Sequence, residues 1–372
     1  MVDRTAEFPT RPVAQLLGSN GPIHSLTYSA SPSTYILTGS SDRSIRLYNP
    51  SSVSSSPSDP SGVPSARLIQ TYSGAHAYSV LSLSVSTDNA RFASAGGDRT
   101  VFLWDVTTAQ TLRRFGSAST THSHTGRVNS VIFAGSADSL LVSAGHDCTV
   151  RIWDILSSGS QKPIQVLGDA KDAVTSVVSV PDTYEIITGS VDGRVRTYDI
   201  RNGKCVVDTL PAPVTSLCLS RDGKTLLVGT LDSKIRLMDR DRGTCLRTYG
   251  GEENEHGQGY RNTELRVQSV LGGKERFVVA GDELSGEGTS TRPHEGRVWA
   301  WDLLTGRLVA KVPVSWGGGG DDTANAKRAI GRDGKKKERK NVLSCIAWKE
   351  NGFGNQFCVG GTSGVVTVFG EG

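Results

Sequence analysis

Short apolar runs, each broken by small residues and a single acid, dominate this chain. Leu140, Leu141 and Val142 lead into Ser143-Ala144-Gly145, Asp147 follows in a polar turn, and Val150 and Ile152 alternate with polar positions up to Trp153-Asp154. Alternation of period two, bounded by Gly and Asp, predicts two strands joined by a tight turn. Val, Ile and Trp suit the buried face of such a hairpin. The pattern recurs at Thr38–Pro50 with Asp42 and Tyr48, at Ser94–Val106 with Asp98 and Trp104, at Thr188–Ile200 with Asp192 and Tyr198, and at Val228–Arg240 with Asp232 and Met238. In each copy the turn acid stands six positions before the ring or thioether. A worn copy has Glu295 six before Trp301, and the last has Ser363 six before Phe369. Seven copies at one offset make an internal repeat, which outranks any isolated motif.

Each hairpin is flanked by two further strands. Inner strands are expected to begin near Ile23, Val80, Val128, Val174, Val214, Leu265 and Val342. Outer strands read Arg67–Tyr72, Thr111–Phe115, Ile164–Leu167, Cys205–Thr209, Cys245–Tyr249 and Arg307–Val312. This organisation resembles the WD40 family, whose repeats of about 40–45 residues each form one four-stranded propeller blade. The resemblance implies an all-β chain folded as a single seven-bladed WD40 β-propeller over residues 12–370, with residues 1–11 a flexible N-terminus. Val13–Leu17 is a spare strand before the first repeat, and the last repeat stops after Val365–Phe369. Pairing these two is expected to close the ring and tie its ends together.

At about 53 residues per copy the repeats exceed the family norm. The excess falls in polar, Gly-rich or Ser/Pro-rich inserts at 51–66, 250–263, 282–297 and 315–341, expected to be mobile loops. In a four-stranded meander the last three emerge on one face and the first on the opposite face.

Composition adds little to the fold but narrows the function. No run of 18 apolar residues is present, so no transmembrane helix is expected. Met1 to Arg11 contains Asp3 and Glu7 and lacks an apolar core, unlike a signal peptide. Cys148, Cys205, Cys218, Cys245, Cys345 and Cys358 form no CxxC pair and are expected to be reduced, mostly buried strand residues. Lys327 to Lys340 holds eight basic and two acidic residues, a net +6 against +4 for the whole chain, which leaves the rest at −2. A propeller body without a basic excess is a poor general nucleic-acid surface.

The candidate chemistry is mostly structural. His76 and His124 precede inner strands, so each blade row is expected to join a His, a strand Ser, the turn Asp and the Trp. The rows are His76, Ser94, Asp98, Trp104 and His124, Ser143, Asp147, Trp153, with Asp42, Asp192 and Asp232 as the other turn acids. A Ser–His–Asp trio looks like a hydrolase triad, but no oxyanion hole is suggested. Blades 4 and 5 lack the His, so their rows are expected to be incomplete. Gly223-Lys224-Thr225 imitates the end of a phosphate loop, yet Cys218 stands where the first Gly is needed and no helix follows. An enzyme is not expected, nor any cofactor or metal.

The resemblance narrows at Thr71–Leu81, Gly189–Gly203, Ser220–Gly223 and Leu231–Gly250, which are similar to the mitogen-activated protein kinase organizer family, also named as a WD-repeat protein of late spliceosomes. There the blade 2 His is followed by a Gly/Ala-Tyr insertion, here Ala77-Tyr78. The similarity departs in blade 6 and in the basic stretch before blade 7. It implies a non-enzymatic scaffold, with splicing factors as first expected partners and kinase-cascade components as the alternative. It also implies a monomer within larger complexes, in nucleus and cytoplasm, with no membrane and at most indirect RNA contact. Ile186–Arg201, with Tyr198-Asp199-Ile200-Arg201, resembles the box by which some propellers dock on a cullin-4 ubiquitin ligase adaptor, giving a third reading as a substrate receptor. Lys335, Lys336, Lys337, Arg339 and Lys340 form a possible nuclear import signal, a phosphate contact or a solvated loop. Arg43, Tyr78, Arg99, Arg127 and Asp172 lie beside inner-strand starts or turn acids and are the expected partner-binding residues. Singly, each also fits a plain solvated loop position.

Overall fold

The structure is a computed structural model that describes residues 7–54, 62–116, 122–157, 162–181, 183–251, 259–264, 266–283, 295–315, 341–349 and 355–371. Its strands form seven four-stranded antiparallel blades. Blade 2 runs Val80–Val85, Arg91–Gly96, Val101–Asp105 and Thr111–Phe115 from inside to outside. Blades 1 and 3 to 6 repeat that meander. Blade 7 has Cys345–Trp348, Gln356–Gly360 and Val366–Gly370, and takes its fourth strand, Arg11–Leu16, from the start of the chain. Arg11 pairs with Gly370 and Leu16 with Val366, so the expected closure is present. Neighbouring innermost strands touch in an unbroken cycle, with blade 7 returning to blade 1.

What joins the blades is visible in the sequence as Val-x-Ser. At Ile23/Ser25, Val80/Ser82, Val128/Ser130, Val174/Ser176 and Val214/Ser216 the inner strand carries a bulge that skips one residue. A bulge re-aims the following side chain, and most of these serines then accept an amide of the next blade. Val131 N–H donates to Ser82 Oγ at 3.0 Å, Val177 to Ser130 and Leu217 to Ser176 at 3.3 Å, and Ser269 to Ser216 at 3.3 Å. Gln268 Oε1 takes the Ile346 amide at 3.4 Å, and the Ser344 hydroxyl donates to Ile23 O at 3.4 Å. At the joint of blades 1 and 2 a close approach does the work, since a Cβ on Gly39 would lie 2.8 Å from Val80 Cγ1.

The core lies between blades. Phe92 and Trp104 stack with rings 5.8 Å apart, and Tyr72 of blade 1 meets both edge-on. Phe8 is 7% exposed and packs on Phe277, Trp348 and Phe357 at the joint of blades 6 and 7. The N-terminus is therefore anchored from Phe8 onward, and the expectation of a flexible segment through residue 11 is corrected. Burial of that one aromatic offsets part of the cost of ordering the short segment.

The inserts are corrected in the same way. Residues 51–54 and 65–66 of the first are strand, with Val53 opposite Ala66, and Ser65 pairs with Gln15 of the closing strand. Tyr260 and Asn262 of the second are buried. Asp282 and Glu283 are buried, and Gly296–Asp302 already belongs to a strand. The remaining parts of these inserts, 55–61, 252–258, 284–294 and 316–340, lie outside the described residues, as does the import signal at 335–340. Inner strands of blades 6 and 7 begin at Ser269 and Cys345, later than expected from Leu265 and Val342. The cysteines are free, but only Cys345 and Cys358 are buried. Cys205 and Cys245 are exposed because they sit on outermost strands, whose outer face nothing covers.

Two substitutions test these joints. Ser176→Ala leaves the buried Leu217 amide without its acceptor and is expected to cost about 1–3 kcal/mol. Phe8→Ala is expected to cost about 3–5 kcal/mol by opening a cavity. Urea denaturation monitored by tryptophan fluorescence reads both, and a cost near zero at either position contradicts the assigned role.

Candidate functional site

The turn between the second and third strand of a blade bonds to the residue just ahead of that blade's inner strand. Ser41 N–H donates to Pro22 O, Gly97 to Ser79 O, His146 to Arg127 O, Val191 to Ala173 O, Leu231 to Pro213 O and Thr362 to Val342 O. These bonds gather the turn acids and the inner-strand starts on one face. Arg43, Arg99, Tyr78, Arg127 and Asp172 are all exposed there, Tyr78 at 64%. Arg43 and Arg99 hold positive φ at the tips of their turns.

Beneath this face, the rows of blades 2 and 3 are continuous. Trp104 Nε1–H donates to Ser94 Oγ at 2.8 Å, Ser94 Oγ lies 2.7 Å from His76 Nε2, and His76 Nδ1 lies 2.6 Å from Asp98 Oδ2. In blade 3 Trp153 donates to Ser143 at 2.8 Å, Ser143 lies 2.8 Å from His124 Nε2, and His124 Nδ1 lies 2.9 Å from Asp147. With the ring proton on Nδ1, one sense of donation runs from indole to carboxylate. Ser94 and Ser143 are fully buried. Each serine oxygen is held between an indole and an imidazole, so no substrate carbonyl reaches it and the trio cannot act as a hydrolase triad.

Blades 1, 4 and 5 use a residue that the sequence reading overlooked. An arginine four positions after the turn acid replaces the histidine: Arg46 meets Asp42 at 2.7 Å, Arg196 meets Asp192 at 2.6 Å, and Arg236 pairs with Asp232. Rows 4 and 5 do lack the histidine, yet their turn acids are fully paired. The Asp-x-x-x-Arg spacing was the available signal, because four residues around a tight turn return the chain to the acid. In blade 2 Phe102 occupies that position against His76, and Asp98 Oδ1 has no hydrogen-bond partner. In blade 6 the worn copy is rebuilt: Asp282, not Glu295, accepts the indole N–H, and it does so from Trp299 at 2.8 Å. Tyr48 and Tyr198 replace tryptophan, with Tyr48 donating to Leu17 O at 2.7 Å.

Pairing sets the acidity of these carboxyls. Burial alone would raise Asp42, but Arg46, Ser40 and the amides of Asn20 and Ser44 outweigh it and hold the group at about 2. Burial is likewise outweighed at Asp147 by His124 and the Thr125 amide, at Asp192 by Arg196, and at Asp232 by Arg236 and Thr230. Each of the five turn acids is thus bonded inside its blade, three of them to an arginine, while Arg43, Tyr78, Arg99, Arg127 and Asp172 are exposed on the face.

A concavity of about 480 Å³ between blades 1 and 2 is lined by Tyr35, Leu37, Leu47, Ile69, Val85 and Val106 among others, with no charged group. Among the described residues no group of three His, Cys, Asp or Glu side chains is placed to hold a metal ion, and no helix is long and apolar enough to cross a membrane.

A closed ring of four-stranded blades with these Trp–Ser–His–Asp rows defines a WD-repeat propeller. Residues 10–49, 66–105, 116–154, 161–199 and 204–239, together more than half of the chain, match the WD domain, G-beta repeat, and the chain belongs to the WD40 family. It is similar to the WD repeat domain-containing protein 83 homolog of Dictyostelium discoideum, 27% identical over 304 residues that cover 75% of this chain and 81% of that protein. It is also similar to WD repeat domain-containing protein 83 of Rattus norvegicus, 35% identical over 157 residues covering 42% of this chain and 43% of that one. A guanine nucleotide-binding protein subunit beta of Arabidopsis thaliana is 33% identical over 179 residues, 46% of each chain. The chain thus spans less than half the length of the rat and Arabidopsis relatives. The family match ends at 239, before blades 6 and 7, where the turn acid is lost. WD40 repeat proteins act as protein-interaction scaffolds.

Two measurements test the buried pairs. Arg196→Met strands Asp192 and is expected to cost about 3–5 kcal/mol in urea denaturation, much of it restored by adding Asp192→Asn. A carboxyl depressed on folding stabilises the protein above its unfolded value and loses that contribution as pH falls through the folded one. For Asp42 the window runs from the ordinary 3.8 down to about 2. The melting temperature is expected to fall across it, with a shallower fall in Asp42→Asn.

Proposed function

We propose that this protein is an interaction platform that holds components of a larger assembly, with the turn-acid face as its contact surface. The observation that carries the reading is the division of charge on that face. Five acids are each bonded to a basic side chain inside their blades, three of them to an arginine, while Arg43, Arg99 and Arg127 face solvent beside exposed Tyr78. Arg and Tyr are the side chains that most often dominate binding energy. A rigid ring holds several of them at fixed spacing, so partners docked together meet at raised effective concentration.

The resemblance to the mitogen-activated protein kinase organizer family supports a kinase cascade as the assembly. Splicing factors, the first expectation from the sequence, are the second reading within the proposal, with both nucleus and cytoplasm as sites of action. The ligase-receptor reading rests on Tyr198-Asp199-Ile200-Arg201 alone. There Asp199 accepts the Arg201 amide in the turn at 2.9 Å, and the Arg201 guanidinium stacks on Tyr184 at 3.8 Å, local contacts that any tight turn can use.

Affinity purification of the tagged chain after nuclease treatment, with mass spectrometry of nuclear and cytoplasmic fractions, tests the proposal. Kinase-cascade proteins, lost from an Arg43→Ala, Tyr78→Ala, Arg99→Ala variant of unchanged melting temperature, are the expected result. Splicing factors alone select the second reading, and a chain recovered free of partners from both fractions contradicts the scaffold.

A further inference from the structure

The rim of the ring is a series of sheet edges, and the edge of blade 4 lacks what protects the rest. An outermost strand presents unpaired amides and carbonyls that can pair with another chain, and bulges, prolines or shortness ordinarily prevent it. Blades 1, 2, 5 and 6 each bulge one residue out of register on the outermost strand, namely Ile69, Leu112, Leu246 and Val309. Ser65 of blade 1 is further covered by Gln15, and the outermost strand of blade 6 contains Pro313. In blade 3 that strand is only Gln165–Leu167, and in blade 7 it carries Pro12 with a shift before Ala14. In blade 4, by contrast, Lys204–Thr209 pairs over its six residues with Arg194–Asp199 in unbroken register. Among the described residues no further strand pairs with it. Val206 and Val207 are 48% and 46% exposed, and Cys205 is exposed beside them. The Leu210 amide donates inward to Gly193 O at 2.7 Å. By alternation, the amides and carbonyls of Cys205, Val207 and Thr209 point away from the blade.

The charges on this strand are arranged about its middle. Lys204 and Asp208 stand two positions either side of Val206, on the same face. Neither has an opposite charge within 4.0 Å among the described residues. Burial pushes the Asp208 carboxyl above its ordinary value. An antiparallel strand of this same sequence, centred on Val206, sets Lys204 opposite Asp208 in both halves and Val206 opposite itself. Cys205 and Val207 then exchange their outward amides and carbonyls with Val207 and Cys205 of the second copy. The hydrogen-bonding phase requires a centre on a residue, and the charges select Val206 as that residue. The strand is thus its own complement, in apolar middle and charged ends alike. We propose that the outer edge of blade 4 is a self-association surface, on which Lys204–Thr209 of two copies pair antiparallel about Val206 and join two blades into one continuous sheet. A two-fold axis through Val206 closes the contact, so assembly stops at a dimer, in place of the monomer that the resemblance implies. The pairing goes beyond the platform reading, holds or fails without it, and uses none of the residues proposed above for other partners.

Analytical ultracentrifugation of the full chain tests the pairing. The mass is expected to rise from one chain to two between about 1 and about 100 µM, the range of a modest contact. Val207→Pro removes only an outward amide, and Val206→Lys sets like charges against each other at the axis. Each is expected to leave a single chain throughout that range, and Val206→Lys decides if Val207→Pro lowers the melting temperature. Lys204→Asp is expected to weaken the dimer about tenfold, because both cross-strand charge pairs become repulsive. Adding Asp208→Lys to it is expected to restore the dimer. With Cys205→Ser and Cys245→Ser in place, Val206→Cys is expected to form a disulfide between the copies under mild oxidation, since facing residues outside the hydrogen-bonded pairs lie about 4.5 Å apart. Val207→Cys is expected not to, its counterpart lying about 8 Å away. A single chain up to about 100 µM, a dimer that survives both Val207→Pro and Val206→Lys, a dimer unchanged by Lys204→Asp, or cross-linking at position 207 and not at 206 overturns the proposal.

Discussion

The joints between inner strands govern this structure. A four-stranded blade has an edge and two faces that it cannot cover alone. Here blades 2 to 6 each pass a serine, or Gln268 in its place, to an amide of the next, and the bulge before Ser82, Ser130, Ser176 and Ser216 aims that side chain. A bulge within a sheet usually weakens pairing. Around this ring it exchanges one pairing within the blade for one between blades. Closure by Arg11–Leu16 completes the cycle, and Phe8 wedges the last joint from the same end of the chain. With both ends locked, opening one joint strains the rest.

That rigidity explains how charge is arranged on the turn-acid face. A turn carboxylate tied down from within organises its own loop without serving as a binding group, whether the partner is His76, His124, Arg46, Arg196 or Arg236. The same backbone bonds that hold the turns also fix the residues ahead of the inner strands, and these carry the exposed arginines and Tyr78. The residues that shape the face and the residues proposed to meet partners are thus different sets on the same loops.

The repeat was legible because it is local: an acid and a ring six positions on set the hairpin, and the spare N-terminal strand implied closure. The histidine rows were legible for the same reason. The arginines that stand in for histidine escaped notice because Arg46, Arg196 and Arg236 read as the polar phase of a strand alternation, although their heads turn back to the acid. Blade 6 was misread more seriously. Its inner strand begins at Ser269, four residues after the expected Leu265. The wedge Phe8 and the buried Tyr260 sit in polar stretches, where composition argued for mobility and only tertiary packing reveals an anchor. Cys205 and Cys245 show the converse, strand residues left exposed by their place at the rim.

The central claim is that the blades are one locked ring and not seven units that open singly. Native-state hydrogen exchange at the amides of Val131, Val177, Leu217 and Ser269, resolved by fragmentation mass spectrometry, tests it most directly. A locked ring predicts that these amides exchange slowest in the chain and together, at the rate of global unfolding. Exchange of one blade's inner amides well ahead of the others would contradict it.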